Sequence, residues 1–337
     1  MNNGWRVAVA GATGVLGEAL LKVLGERDLK LVELHALCSE ASIGRSVEYR
    51  NAEHGLAGLE RFDFGQVDVA LLALPEGVAG PVARRAAEAG TLVVDASRCF
   101  VGDDEVPSVA AALDLTPLND LGQGRIVRTP AASALVLARA LRPLAGAAGL
   151  EAVRCTACLA VSGAGRAGID ELAAQCTQLL NGRPVPLPGP AFAARVAFNC
   201  LPTAGALGEQ GLTDHEQWVT EDLARLLGLA PVAIRYRAVV VPAFYGDGYW
   251  LEATTQEPLS PLEFTARLKA TSGLEVEVGH APTPAVDAAG TDLVCVGRLS
   301  SAAGAVREHH FWVAADALRQ AAANSVTLVE VLAREHF

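Results

Sequence analysis

Gly11, Gly14 and Gly17 stand three residues apart in the run Gly11-Ala12-Thr13-Gly14-Val15-Leu16-Gly17. Glycines at this spacing suit phosphate chemistry. The first permits a tight turn out of a strand, the second lets backbone approach a pyrophosphate, and the third lets the next helix pack closely on the sheet. The helix start then offers phosphate free N–H groups and a favourable dipole. The flanking sequence fits. The apolar run Arg6–Ala10 precedes the glycines, and Glu18–Arg27 follows with Leu20, Leu21, Val23 and Leu24 on one helical face. A glycine turn with no ligand is the plainer alternative. The second strand-like run, Leu31–Leu37, ends in Leu37-Cys38-Ser39 without an acid at its tip to hold a ribose. Ser39 and Ser42, with Arg45 nearby, suit a 2′-phosphate, which tilts the reading towards NADP. An N-cap serine in a solvated loop explains the same residues equally well.

Four other groups have reactive side chains. Cys99 has Arg98 beside it, and a neighbouring cation lowers a thiol pKa; the alternative is a half-buried loop cysteine. Cys155 and Cys158 form a Cys-x-x-Cys on a strand-like run, where residues three apart face opposite sides. No second pair follows, so neither zinc nor dithiol chemistry is expected. His309-His310 lacks a helical i, i+4 partner, which favours a surface or capping role over metal. No metal is expected anywhere. Asp247 with Tyr249 has the groups for acid/base work in a simple reductase.

The elements that must position these residues alternate. Val67–Leu74 and Thr91–Asp95 read as further strands, and Val82–Gly90 as a helix closed by Gly90. Strand and helix in alternation imply a doubly wound parallel sheet. After about Pro130 the pattern changes. Helices are expected at Ala134–Leu144, Gly168–Leu180, Ser260–Ala270 and Asp316–Leu332, and strands at Glu151–Val161, Val232–Val241, Gly248–Thr254, Leu293–Leu299 and Glu308–Ala314. Asn181–Pro190, rich in Pro and Gly, reads as loop. With 337 residues and 51% hydrophobic content the chain is long enough for about two domains with a sizeable core. A net charge of −11 argues against nucleic acid or an anionic membrane as main partner. Seven cysteines, an odd and scattered set, suit a reducing compartment. No leader and no membrane-length apolar stretch is read at the sequence level, so the cytoplasm is the expected location.

Specific segments resemble the aspartate-semialdehyde dehydrogenase family almost end to end. They include Val9-Ala10-Gly11-Ala12-Thr13-Gly14, the glycine loop Ala160–Gly168, Glu171-Leu172 with Gln175, and Ala197-Phe198-Asn199. Val241-Pro242 with Phe244-Tyr245-Gly246, and Phe311–Asp316, complete the series. The resemblance implies a fold of class α/β: an N-terminal Rossmann domain, a doubly wound parallel sheet, plus an α+β dimerisation and substrate domain. The expected boundaries are 1–129 with the terminal helix 316–337 for the first, and 130–315 for the second. It implies NADP-dependent reductive dephosphorylation of an acyl phosphate through a cysteine thioester and a histidine acid/base, and a homodimer. The cofactor-binding set becomes Gly11, Thr13, Gly14, Val15, Leu16, Ser39, Ser42, Gly163 and Asn324. It also places the Cys99 loop near the substrate phosphate.

Compared with that family, the reacting residues are missing. The nucleophile position is Ala132, in Thr129-Pro130-Ala131-Ala132-Ser133-Ala134, and the substrate glutamine position is Leu159. The histidine position is Asp247, the carboxylate-clamp arginine Val240, a pocket lysine Trp218, and the phosphate arginine Val101. Ala41 stands where an arginine accompanies the 2′-phosphate. Ser133, Ser162 and Glu216 are the polar groups left in the pocket, with Ser133 expected to point elsewhere from the helix start. The expectation is a catalytically degenerate homodimer, with NADP held weakly or no cofactor, a small-molecule ligand as a further partner, and neither nucleic acid nor membrane. An NAD(P)-dependent oxidoreductase of non-standard mechanism is the alternative, and a conventional active enzyme the third.

Overall fold

The computed structural model describes residues 4–121, 125–301 and 306–335. The extreme ends of the expected segments 1–129 and 316–337, and the start read as leaderless, lie outside the described residues. The chain divides into two units, Met1–Pro130 with Ala321–Phe337, and Ala131–Gln320.

The first unit carries β1 (Trp5–Ala10), α1 (Val15–Glu26), β2 (Leu31–Cys38), β3 (Ser46–Tyr49), β4 (Ala52–Gly58), β5 (Val69–Leu72), α2 (Glu76–Glu88), β6 (Leu92–Asp95) and β7 (Ile126–Arg128). Its sheet runs β3-β4-β2-β1-β5-β6-β7. All pairings are parallel except β3 with β4. The order reverses at β1, whose C-terminal end is therefore the switch point where such sheets bind ligands. Both faces are covered, which is why the strands read as unbroken apolar runs. Val7 and Val9 face Leu20, Leu21 and Leu24 of α1 and Ala322, Val326 and Val329 of the C-terminal helix. Ala8 and Ala10, pointing the other way, meet Phe64, Val82, Ala83 and Ala86.

The second unit carries α3 (Ala132–Ala148), β8 (Leu150–Leu159), α4 (Gly165–Leu180), α5 (Asp214–Leu227), β9 (Ile234–Val240), β10 (Asp247–Thr255), α6 (Pro261–Lys269), β11 (Leu274–Val276), β12 (Val294–Ser301) and β13 (Glu308–Ala315), and the start of α7 (Ala317–Glu335). Its sheet runs β11-β12-β13-β10-β8-β9, mixed parallel and antiparallel. On β9, Ile234, Tyr236, Ala238 and Val240 are buried, while Arg235 and Arg237 are exposed. One face therefore packs inward, and the other, with Arg154, Thr156 and Arg237, is open in the single chain. No helix among the described residues is long and apolar enough to cross a membrane.

Several elements differ from the sequence reading. The strand expected over Val67–Leu74 is only Val69–Leu72. The helix expected from Val82 starts at Glu76, because Gly77, Gly80 and Pro81 in its first turns masked a helical segment. α3 begins two residues before the expected Ala134 and runs through Pro143. β3, β4, β7, β11 and α5 were not expected at all. His309 is not at the surface: it is fully buried on β13, its ring 4.8 Å from that of Phe264. It belongs to an apolar core, with Nδ1 left without a partner.

Candidate functional site

Each unit contributes one cluster of functional side chains. In the first, Gly11 leaves β1 at φ +82°, and a Cβ there would lie 2.2 Å from the Ala73 carbonyl oxygen. A Cβ on Gly17 would lie 2.1 Å from the Gly11 oxygen, so helix and turn touch backbone to backbone. Gly14 is the N-cap of α1, with no side-chain cap. Its own N–H bonds the Gly11 carbonyl, and the Glu18 N–H bonds the Gly14 carbonyl. The N–H groups of Val15, Leu16 and Gly17 thus precede the first helical bond, as helix starts leave them. Thr13, Val15 and Leu16 share this turn.

Ser39 is exposed at the head of a one-turn helix, Glu40–Ser42, and makes no capping bond there. Ser42 is half-buried on the same turn. Glu40 is exposed on the same turn; the sequence reading, which looked only at the strand tip, missed this acid. Asn324, on α7, is buried and its amide is engaged. Its Oδ1 accepts the Ala111 N–H at 2.7 Å, and its Nδ2 donates to the Val109 carbonyl at 2.9 Å and to Thr129 Oγ1 at 3.4 Å.

In the second unit the cluster surrounds the start of α3. Ala131 is the N-cap, and its N–H is held by Asp222 Oδ2 of α5 at 2.8 Å. A carboxylate at a helix N-terminus is favourable, and only α5, absent from the sequence reading, supplies it. Ala132 is half-buried. Ser133 turns inward: it is 3% exposed, and its Oγ lies 3.1 Å from the Tyr249 hydroxyl. Tyr249 donates to Asp247 Oδ2 at 3.3 Å, and Asp247 Oδ1 accepts the Ala160 N–H at 2.8 Å. Burial pushes the Asp247 carboxyl up to about 7, with the Asp316 charge adding to the effect. Leu159 and Val240 pair across β8 and β9 and are both buried. Glu216 is spent on structure. Its carboxylate closes the capping box of α5 with the Thr213 N–H at 2.8 Å and accepts the Ala238 N–H of β9 at 3.0 Å. Ser162 is buried, and Gly163 is exposed in the short turn Val161–Ala164.

The family description "Semialdehyde dehydrogenase, NAD binding domain" matches residues 6–119, and "Semialdehyde dehydrogenase, dimerisation domain" matches residues 141–320. Aspartate-semialdehyde dehydrogenase 2 of Vibrio cholerae is 33% identical, with all of both chains aligned. A USG-1 protein homolog of Azotobacter vinelandii is 35% identical over 98% of each chain. The crystal structure of the V. cholerae aspartate semialdehyde dehydrogenase II complexed with ASA superposes with a TM-score of 0.94 at 33% identity, covering 99% of each chain. The chain belongs to the aspartate-semialdehyde dehydrogenase family.

Membership in that family gives the remaining candidates their context. Cys99 is the half-buried cysteine of the plainer reading. Arg98 is drawn to Glu76, with Nε 3.7 Å from Oε2, and Cys99 Sγ faces Asp95 Oδ2 at 3.6 Å. Burial, with Asp95 adding to it, pushes the thiol up to about 11, so Arg98 does not activate it. Cys155 is buried and Cys158 half-buried on β8, three residues apart along the strand. Among the described residues no three His, Cys, Asp or Glu side chains are grouped to hold a metal. The sequence reading also passed over Tyr236, buried on β9 with its hydroxyl 3.4 Å from His215 Nε2. No spacing pattern marks it, because it meets the cluster only through pairing of β9 with β8.

Proposed function

We propose that this chain is a catalytically degenerate member of its family. In this reading it has lost covalent acyl transfer but keeps the fold, acts as a cytoplasmic homodimer, and holds a pyridine dinucleotide weakly. One observation carries the reading: the start of α3 presents only methyl groups at Ala131 and Ala132, while Ser133 is turned inward onto Tyr249. A thioester mechanism needs a thiolate there and an imidazole opposite it. Here Asp247 occupies the opposite position, and its two oxygens are engaged by Ala160 and Tyr249. That one aligned relative carries an enzyme name and another the name USG-1 protein homolog is compatible with family members of differing roles.

The glycine turn supports retained nucleotide binding. Gly11 and Gly17 leave no room for a Cβ, and the N–H groups of Thr13, Val15 and Leu16 would hold a pyrophosphate. Ser39 and Ser42 would face a 2′-phosphate, on a short turn that also carries the acidic Glu40. The dinucleotide supplies hydride chemistry when bound. Asn324 would offer it only the second lone pair of Oδ1. The open face of the second sheet, with exposed Arg154, Thr156 and Arg237, supports pairing with a second copy. The other reading, an oxidoreductase without a thioester, is favoured by Asp247 alone, whose carboxyl near 7 suits proton transfer at neutral pH.

Calorimetric titration with NADP and NAD, with an assay of aspartate-semialdehyde oxidation in phosphate, tests the reading. Saturable binding with no turnover above background is expected. Turnover would overturn the degeneracy, and tighter binding of NAD would overturn the assignment of Ser39 and Ser42.

A further inference from the structure

Asp247 opens β10 beside the glycine loop of residues 160–165, and its side chain is wired into a row of buried hydroxyls. Oδ1 accepts the Ala160 N–H at 2.8 Å, which fixes the residue just before the turn Val161–Ala164. Oδ2 accepts the Tyr249 hydroxyl at 3.3 Å. Tyr249 is 0% exposed, and its oxygen lies 3.1 Å from Ser133 Oγ with either atom able to donate. Among the described residues, no cation is among the groups that shift this carboxyl. The groups bearing on it are Asp316 at the head of α7 and Tyr249 on its own strand. Its charge is in turn felt by Cys158 of β8 and Tyr236 of β9. Cys155 of β8 and Glu216 of α5 act on Tyr236, and His215 of α5 lies against its hydroxyl. α3 contributes Ser133.

We propose that Asp247, Tyr249 and Ser133 form a proton-operated latch that sets how firmly the glycine loop of residues 160–165 is held. The direction of the hydrogen bonds decides it. With Asp247 ionised, Ser133 donates to Tyr249, Tyr249 donates to Oδ2, and Ala160 donates to a charged Oδ1. With Asp247 protonated, its O–H donates to the tyrosine oxygen, Tyr249 donates to Ser133, and the chain of hydroxyls reverses. Ala160 then bonds a neutral oxygen, and a charge-assisted bond is roughly twice as strong as a neutral one. One proton therefore loosens the loop without moving a heavy atom out of hydrogen-bond distance. Burial without a cationic partner brings this proton within reach of neutral pH. The latch stands whether or not the chain catalyses anything or binds nucleotide.

Hydrogen exchange of the full chain between pH 5.5 and 8.5, with intrinsic rates divided out, reads the latch directly. Protection at Ala160 is expected to rise about fivefold through a single step near pH 7, from the ratio of charged to neutral bond strength. Asp247→Asn should remove the step. Tyr249→Phe deletes a donor to the carboxylate, so the midpoint should move to higher pH, and Ser133→Ala should move it less. A purely structural Tyr249 would leave the midpoint where it is. Because Tyr249 is fully buried, its variant can fail to fold; a carboxyl-carbon NMR titration of wild type against Asp247→Asn then decides alone. A midpoint below pH 5, an absent step, or a step that survives Asp247→Asn overturns the proposal.

Discussion

Replacing Asp247 by Asn should stabilise the protein at alkaline pH, and the amount follows from the site. The carboxyl is raised from 3.8 to about 7, chiefly by burial. A group whose folded pKa lies above its unfolded value favours the folded state below the unfolded pKa, and that contribution is lost as pH rises through the folded one. The loss therefore falls between about pH 4 and pH 7. Three units at about 1.36 kcal/mol each set a ceiling of about 4 kcal/mol. Asp247 is only partly buried, so water screens some of this, and about 2–4 kcal/mol is the working range. Asparagine keeps both contacts. Its oxygen accepts from Ala160, and its amide donates to Tyr249, which then donates to Ser133. Thermal melting at fixed protein concentration should place Asp247→Asn about 3–6 °C above wild type at pH 8.5, with the gap closing towards pH 5. His309 titrates in the opposite sense, since burial lowers its pKa and its protonation destabilises the acid side. Both proteins share it, so it cancels in the difference. A variant that melts lower at pH 8.5, or a gap independent of pH, would refute the reasoning.

Three further outcomes are expected. Ala132→Cys should give no NADP-dependent oxidation of aspartate-semialdehyde above background, because ionised Asp247 raises rather than lowers a nearby thiol pKa; robust NADPH formation would contradict this. Gly17→Val should abolish nucleotide binding by calorimetry and cost several kcal/mol of stability, since its Cβ would lie 2.1 Å from the Gly11 oxygen and neither backbone can yield. Glu171→Ala should cost about 2–4 kcal/mol in urea denaturation, because it strands the N–H groups of Ala191 and Phe192 that its Oε2 accepts at 2.7 and 3.1 Å.

The first unit was legible because its signals are local. A parallel strand buried on both faces reads as an apolar run, and the glycine turn reports its own backbone geometry. The elements that were missed lack such signals. α2 hides behind Gly77, Gly80 and Pro81, and α5 is an amphipathic helix whose buried Glu216, expected in the pocket, and Asp222, not singled out, take their structural roles only through partners on β9 and at the start of α3. The second cluster was half legible. Position-by-position resemblance singled out Ala132 and Asp247 and expected Ser133 to point elsewhere, but gave neither the Ser133–Tyr249 bond nor the Tyr236 contact. Those depend on strand register, in which Tyr249 pairs with Ala157 and Ala157 with Ala238. Arg98 shows that adjacency in sequence is not adjacency of charge: its guanidinium goes to Glu76, and the thiol faces Asp95.

The residues behind the resemblance differ in how much the fold itself requires them. Glu171 and Gln175 of α4 are each nine-tenths buried or more, and each ties down the loop that follows. Glu171 holds Ala191 and Phe192, Gln175 accepts the Val196 and Ala197 N–H groups at 2.9 and 3.1 Å, and the two side chains bond each other at 2.7 Å. Losing Gln175 leaves buried donors unpaired, and losing Glu171 half-buried ones. At Ala132, Leu159 and Val240 the side chains are apolar and owe the fold no hydrogen bond, so nothing there resists replacement once chemistry is not required. Asp247 lies between these cases. It satisfies Ala160 and Tyr249, yet it places an unneutralised carboxyl against an interior that raises its pKa to about 7. A residue kept only for structure would be better replaced by asparagine, which makes the same two bonds without the charge. Its acid is therefore a feature of this cluster that structure alone does not account for, and the proton it carries is what the latch uses.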